Sequence, residues 1–279
     1  MKKIKLFALG IIAAISLTAL AACGNNGTPT AGGTVANEVL TIGATSVPHA
    51  YILRQAAPIL LEEGIELRII EFDDFILPNL ALRDGDLDAN FFQHRPFLSR
   101  FNDDHNTNLV PIFGVHFEPL RVYAGRLYSL ENIPEGSTIA IPDDPSNEAR
   151  ALQLLEYLGL ITLQPGLGLT ATSTNIADNP HNLNITPIDA PLLARTLPDV
   201  EFAVINGNFA MQGGVFYRQI AGAAEADESE AAINFTNFVV VRAEDEGNEA
   251  VQALVRAINS DVVRQFINDE FLGRIVPQF

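Results

Sequence analysis

From Glu38 onward the chain alternates short apolar runs with segments whose apolar positions recur every three or four residues. Residues 39–43 form a β-type run. Residues 44–47 read as a loop, and Pro48 suits the first turn of a helix, where its missing N–H is harmless. Ile52, Leu53, Ala56, Ile59 and Leu60 then share one face, so the spacing predicts a helix over 49–63, ended by Gly64. Residues 65–72 return as a strand, Asp74 is expected to cap a helix through Leu82, Asp84-Gly85 makes a turn, and 87–92 form a third strand. Strand–helix–strand order of this kind predicts parallel neighbours, because parallel strands need a crossover. The rhythm restarts with a strand at 137–141, a loop at 142–145 and a helix over 148–158 capped by Ser146 or Asn147. A strand at 185–188, a helix near 191–197 and strands at 202–206 and 238–242 follow, and helices over 249–259 and 262–269 close the chain. The expected fold class is α/β with two lobes, residues 38–119 plus 238–279 in one and 120–237 in the other. The chain would cross between them near 118–122 and 237–242.

The first 37 residues follow a different rule. Lys2, Lys3 and Lys5 precede an apolar run from Leu6 to Leu20, too short for a bilayer span, which needs about 20 residues, but suited to an export signal. The run ends in Leu20-Ala21-Ala22-Cys23-Gly24, which resembles the lipobox of bacterial lipoproteins. Residues 1–22 are therefore expected to be a signal peptide, and Cys23 the acylated residue that anchors the protein to a membrane on its extracytoplasmic face, periplasmic or cell-surface. Residues 23–37, rich in Gly, Thr and Asn, read as a flexible tether.

Composition narrows the partners. The 279 residues hold 17 Lys+Arg against 34 Asp+Glu, a formal net charge of −17, with all lysines in the first five positions. So acidic a body makes nucleic acid an unfavourable partner. One Cys excludes a disulfide framework, a Cys-rich zinc site and a CxxC pair. His49, His94, His105, His116 and His181 form no HxH, HxxH or HExxH spacing, and a metal-capturing lipoprotein is kept as the alternative of another class. There is no GxSxG, no Gly-rich phosphate loop and no paired-carboxylate motif, since Asp73-Asp74 and Asp143-Asp144 are adjacent pairs whose side chains diverge. The expectation is a monomeric binding protein that is not an enzyme and uses no cofactor.

In open α/β lobes, ligands sit beyond the carboxyl ends of the strands. Those ends carry Phe75, then Phe92, His94 and Phe97, then Asn147 and Arg150, then Asn206. The phenylalanines offer apolar walls. Asn147 and Arg150, three apart, share a face at a helix start, where Arg150 could grip a carboxylate bidentately with help from the helix dipole. An apolar slot beside a carboxylate clamp describes an amino acid with an uncharged, extended side chain.

Ordered blocks across nearly the whole mature chain carry a resemblance: IGATSVPHAYIL (42–53), FDDFILPNLAL (72–82), GDLDANFFQHRPFL (85–98), GVHFEPL (114–120), IAIPDDPSNEARAL (139–152), LTAT (169–172) and FAVINGNFA (202–210). On them the chain resembles the NlpA/MetQ lipoproteins, methionine-binding components of an ABC importer. The resemblance implies a periplasmic-binding-protein-like fold (type II), with a ligand cleft between lobes joined by a hinge. It also implies capture of L-methionine or a close relative for a membrane permease driven by an ATPase. Position by position, Phe75, Phe92, His94 and Phe97 match the side-chain pocket, Asn147 and Arg150 the carboxylate site, and Asn206 and Asn237 the asparagines at the amino acid's polar end. Phe75 and Phe97 stand where the family commonly has Tyr, Asp143 stands where Asn is usual, and 213–236 is longer and more acidic. A methionyl dipeptide or another apolar amino acid is the alternative ligand.

Overall fold

The structure is a computed structural model that describes residues 38–216, 225 and 230–279. The signal peptide, Cys23 and the tether expected within 1–37 lie outside the described residues. The first lobe begins β1 (Glu38–Thr45), α1 (Tyr51–Glu62), β2 (Ile65–Phe72), α2 (Leu77–Asp84), β3 (Ala89–His94), α3 (Arg95–His105) and β4 (Leu109–Phe117). A second sheet is then built from β5 (Arg121–Ala124), β6 (Thr138–Pro142), α4 (Pro145–Tyr157), β7 (Thr162–Leu163), β8 (Ile176–Asp178), β9 (Asn184–Ile188), α5 (Leu193–Thr196), β10 (Phe202–Ile205) and α6 (Gly207–Gln212). The chain continues with α7 (Glu230–Asn234), β11 (Thr236–Arg242), α8 (Glu249–Ile258), α9 (Asp261–Phe271) and β12 (Val276–Pro277).

Two sheets organise these elements. One runs β12-β4-β11-β3-β1-β2 and the other β5-β10-β6-β9, with β7 and β8 as a separate pair. The crossover strands pair in parallel, as Ile42 does with Ile69 and Ala89, and Ile139 with Ile185 and Phe202. Strand β11 lies antiparallel between β3 and β4, so the chain returns to the first sheet at Thr236. Sheet one buries Ile42, Phe91 and Val239 against Ile52, Leu53, Leu254 and Ile258 of the helices. Sheet two buries Val122, Ile139, Phe202 and Val204 against Leu152 and Leu155. Helix α8 shows why pattern dictates this: Ala250, Val251, Leu254, Ala257 and Ile258 make one buried stripe. The lobes meet, for Phe75 packs on Phe209 at 4.7 Å, and Gln212 Nε2 donates to Asp73 Oδ1 at 3.0 Å. Among the described residues no helix is long and apolar enough to cross a membrane.

Several local expectations are refined or corrected. Pro48 and His49 lie in a wide helical turn, Ser46–Ala50, that runs directly into α1; only Val47 in it departs from helical angles, so Pro48 opens the helical path as expected. Asp74 caps the start of α2 from two residues further out than the N-cap position, which Ile76 holds. Its Oδ1 accepts the N–H groups of Ile76 and Leu77 in a turn, and the helix starts after Ile76. The cap of α4 is Asp144, with Pro145 in the first helical position, rather than Ser146 or Asn147. Elements not expected include α3, β4 and β5. Strand β4 holds Pro111 and Gly114, which read as breakers, yet both sit by register shifts in its pairing with β11, where an irregular ladder tolerates a residue lacking an N–H.

Candidate functional site

Strand β3 delivers an aromatic wall. Phe92 is buried on it, Phe97 follows in the first turn of α3, and Phe75 comes from the loop after β2. Ring centroids lie 5.8 Å apart for Phe75–Phe92, 5.6 Å for Phe75–Phe97 and 6.0 Å for Phe92–Phe97, within the range of favourable aromatic packing. These rings line part of a cavity of about 20 Å³ in this conformation, room for about one water and well below the size of ligand sites, so a solute enters only when the lobes part.

The rest of the lining is polar, and its orientation propagates from Asp144. That carboxylate only accepts, so the Asn147 amide nitrogen faces it, at 3.0 and 2.9 Å from its two oxygens. Asn147 Oδ1 is thereby turned to the other side, where it accepts from His94 Nε2 at 3.1 Å and from Asn206 Nδ2 at 3.0 Å. This fixes the His94 tautomer. Nε2 carries the hydrogen, and Nδ1 accepts from the Phe97 backbone N–H at 3.2 Å, capping α3. Burial, then the Arg150 charge, pushes the His94 pKa down to about 3, so the ring is a neutral donor. Burial pushes the Asp144 carboxyl up. The chain of bonds ends at Asn206 Oδ1, a buried acceptor with no partner among the described residues, which is the arrangement an incoming N–H would complete.

Glu118 supplies a negative charge. It lies in the stretch between β4 and β5 and lines the cavity. Burial alone would raise its pKa, but the hydrogen bond from His116, the charges of His49 and His116, and the Asn208 N–H hold it below the ordinary carboxylate range. Oε1 is 2.8 Å from His116 Nε2, and Oε2 accepts the Asn208 N–H at 2.7 Å. Behind it, His49 bridges Thr45 at 2.7 Å and Asn237 Oδ1 at 3.1 Å. Burial pushes the His49 pKa down to about 4. At neutral pH His49 is therefore uncharged. His49, His116 and Glu118 are the group among the described residues that could hold a metal ion, one ligand atom from each lying within 4.8 Å of the others.

Arg150 supplies the positive charge. Its side chain is 3% exposed, its guanidinium lies over Phe235 at 4.0 Å, and Nη2 donates to the Glu118 carbonyl at 2.8 Å. Glu225, from the acidic segment, accepts from Nε at 2.9 Å and from Nη2 at 2.5 Å. The fork expected to grip a ligand carboxylate is thus taken by an internal one.

The structure brings all eight expected residues, Phe75, Phe92, His94, Phe97, Asn147, Arg150, Asn206 and Asn237, to this cavity. It adds Gln93, Glu118, Gly207 and Asn208. Asp143, which stands where the family usually has Asn, is exposed and is not among the lining residues. Gly207 is a steric requirement, since a Cβ there would stand 2.6 Å from Glu118 Oε2. Gly207→Ala is expected to push that carboxylate off the Asn208 N–H and lower stability by about 1–3 kcal/mol, measurable as a fall in Tm.

A cleft between two α/β lobes, lined by aromatic rings and by polar groups that include a buried charge of each sign, is the arrangement of a solute-binding protein. The comparisons agree. The family model for the NlpA lipoprotein matches residues 40–279, and the chain belongs to that family. It is 39% identical to the membrane lipoprotein TpN32 of Treponema pallidum, over 86% of this chain and 88% of that one. It is 37% identical to the D-methionine-binding lipoprotein MetQ of Salmonella typhimurium, over 76% and 78%. Among solved structures, a nutrient-binding protein from Burkholderia cenocepacia bound to methionine superposes with a TM-score of 0.82 at 37% identity, covering 86% of this chain and all (100%) of that one. The substrate-binding protein of a methionine transporter from Streptococcus pneumoniae is also similar, with a TM-score of 0.81 at 30% identity, covering 86% of this chain and 96% of that one.

Proposed function

We propose that the protein is the extracytoplasmic substrate-binding lipoprotein of an ABC importer, anchored through acyl chains on Cys23, and that it captures methionine between its lobes. The observation that carries this reading is the division of one cavity into a phenylalanine wall and a polar wall bearing both Glu118 and Arg150. A zwitterion with an apolar side chain complements both halves. The thioether chain leaves water against Phe75, Phe92 and Phe97, gaining about 1.5–3 kcal/mol from burial, with sulfur–aromatic contacts of about 0.3–1.5 kcal/mol each. The α-ammonium meets Asn206 Oδ1 and Glu118, with His94 and Asn147 holding Asn206 in place and His49 orienting Asn237. The carboxylate meets Arg150. The bound methionine of the Burkholderia relative supports the assignment.

The hinge lies in the two stretches linking the sheets, near 118–120 and just before Thr236, and closure around the solute presents a loaded face to a permease driven by an ATPase. The protein itself performs no covalent chemistry and acts as a monomer. Calorimetric titration of the purified chain with L-methionine, D-methionine, leucine, a methionyl dipeptide and zinc tests the reading. Saturable heat from methionine, at least about tenfold tighter than from leucine, is expected. Equal affinity for leucine would remove the named ligand. Heat from zinc alone would favour the metal reading that the His49–His116–Glu118 group keeps open.

A further inference from the structure

The partner of Arg150 is the feature that the amino-acid reading alone does not account for. Glu225 comes from the long acidic segment, yet its side chain is only 10% exposed. It is held at four points: Arg150 Nε and Nη2 donate to its two carboxylate oxygens, the Leu120 N–H donates to Oε2 at 2.8 Å, and its own N–H donates to the Leu120 carbonyl at 3.2 Å. A ligand carboxylate that displaced it would trade one carboxylate for another at Arg150 and leave the Leu120 N–H without its acceptor. The swap offers no gain, so the pair is built to persist.

A guanidinium has five N–H donors. Here Nε faces Glu225, and Nη2 serves both Glu225 and the Glu118 carbonyl. Nη1 makes no hydrogen bond to a described side chain or carbonyl, and Arg150 lines the cavity. Phe235, stacked at 4.0 Å, holds the plane of the group.

Resting on the amino-acid reading, we propose that Glu225 is a positioning residue that sets ligand specificity: it locks Arg150 edge-on, so that the solute's carboxylate is met by Nη1 alone. Part of the arginine charge is spent internally, and the preference for a free carboxylate over a carboxamide rests on one well-aimed nitrogen rather than on a bidentate clamp. Glu225 thus acts on the cavity through the guanidinium without being among the described residues that line it.

The test compares L-methionine with L-methioninamide by calorimetry on the full chain, its E225A variant and its E225Q variant, with melting curves to confirm folding. The wild type is expected to prefer methionine by about tenfold or more. In E225A the freed guanidinium loses its aim, and the preference falls to within about threefold because methionine weakens while methioninamide stays within about threefold of its wild-type affinity. E225Q, which keeps one acceptor for Arg150, is expected to retain an intermediate preference. Tighter methionine binding in either variant would overturn the proposal, because Glu225 would then be a competitor of the ligand. Equal weakening of both ligands would reduce Glu225 to a structural brace and overturn it as well. A wild type that binds neither compound would overturn the amino-acid reading, and this inference with it.

Discussion

Arg150→Ala is expected to weaken methionine binding by about 30-fold or more and to lower the melting temperature at the same time. Truncating one member of a buried, hydrogen-bonded charge pair typically costs about 2–5 kcal/mol, and each 1.4 kcal/mol is tenfold in affinity. The stability loss has a separate cause. Glu225 loses two charge-assisted bonds while its side chain remains about nine-tenths buried, and an uncompensated buried charge is strongly unfavourable. Titration calorimetry and thermal melting on the same sample separate the two effects. Saturating methionine recovers little of the lost Tm, since the variant binds it poorly. Unchanged binding in a folded variant would remove Arg150 from the ligand site.

Acidification should destabilise the protein well before ordinary carboxylates titrate. His94 and His49 are buried neutral, their pKa values pushed down to about 3 and about 4 mainly by desolvation. Above pH 6.5 both rings are neutral in the folded and unfolded chain alike, and their contribution is fully present. Below 6.5 the unfolded chain takes up protons that the folded one refuses, so stability falls by up to about 1.4 kcal/mol per pH unit for each ring. The loss runs until the folded pKa is reached, near 4 for His49 and near 3 for His94, and amounts to several kcal/mol. Glu118, held below its ordinary value, adds to the loss at the acid end, whereas Asp144, raised by burial, opposes it. Melting temperatures from pH 8 to pH 5 should therefore drop with a slope that His94→Gln reduces. A flat profile across that window would show that the rings titrate freely in the folded state.

The parts of this design that were legible in the sequence share a physical reason. Strand ends followed by helix starts are local patterns, so the positions of Phe75, Phe92, His94, Phe97, Asn147, Arg150 and Asn206 could be read from element order, whereas Asn237, which lies in none of the ordered blocks, came only from the family correspondence. What escaped depends on contacts distant along the chain. Glu118 lies in a stretch that reads only as a crossing between lobes. Its role needs His116 from β4 and the Asn208 N–H from α6 to keep it ionised in a buried setting. Glu225 sits 75 residues from Arg150 in a segment whose acidity looks like solvated surface. The α4 cap was within reach, because a proline in the first helical position marks the residue before it, Asp144, as the cap. Strand β4 was hidden by Pro111 and Gly114, which only its bulged pairing with β11 accommodates.

The central claim is that a single amino acid lies across the cavity, its apolar chain on the phenylalanine wall and its charged end between Glu118 and Arg150. A crystal structure of the protein with selenomethionine supplied only as ligand tests this most directly, since the anomalous signal locates one atom without ambiguity. The expected result is a selenium peak in van der Waals contact with the rings of Phe75, Phe92 and Phe97, with the ligand carboxylate toward Arg150 Nη1. A peak outside the cavity, or a ligand whose selenium points to the Glu118 side, would contradict the account.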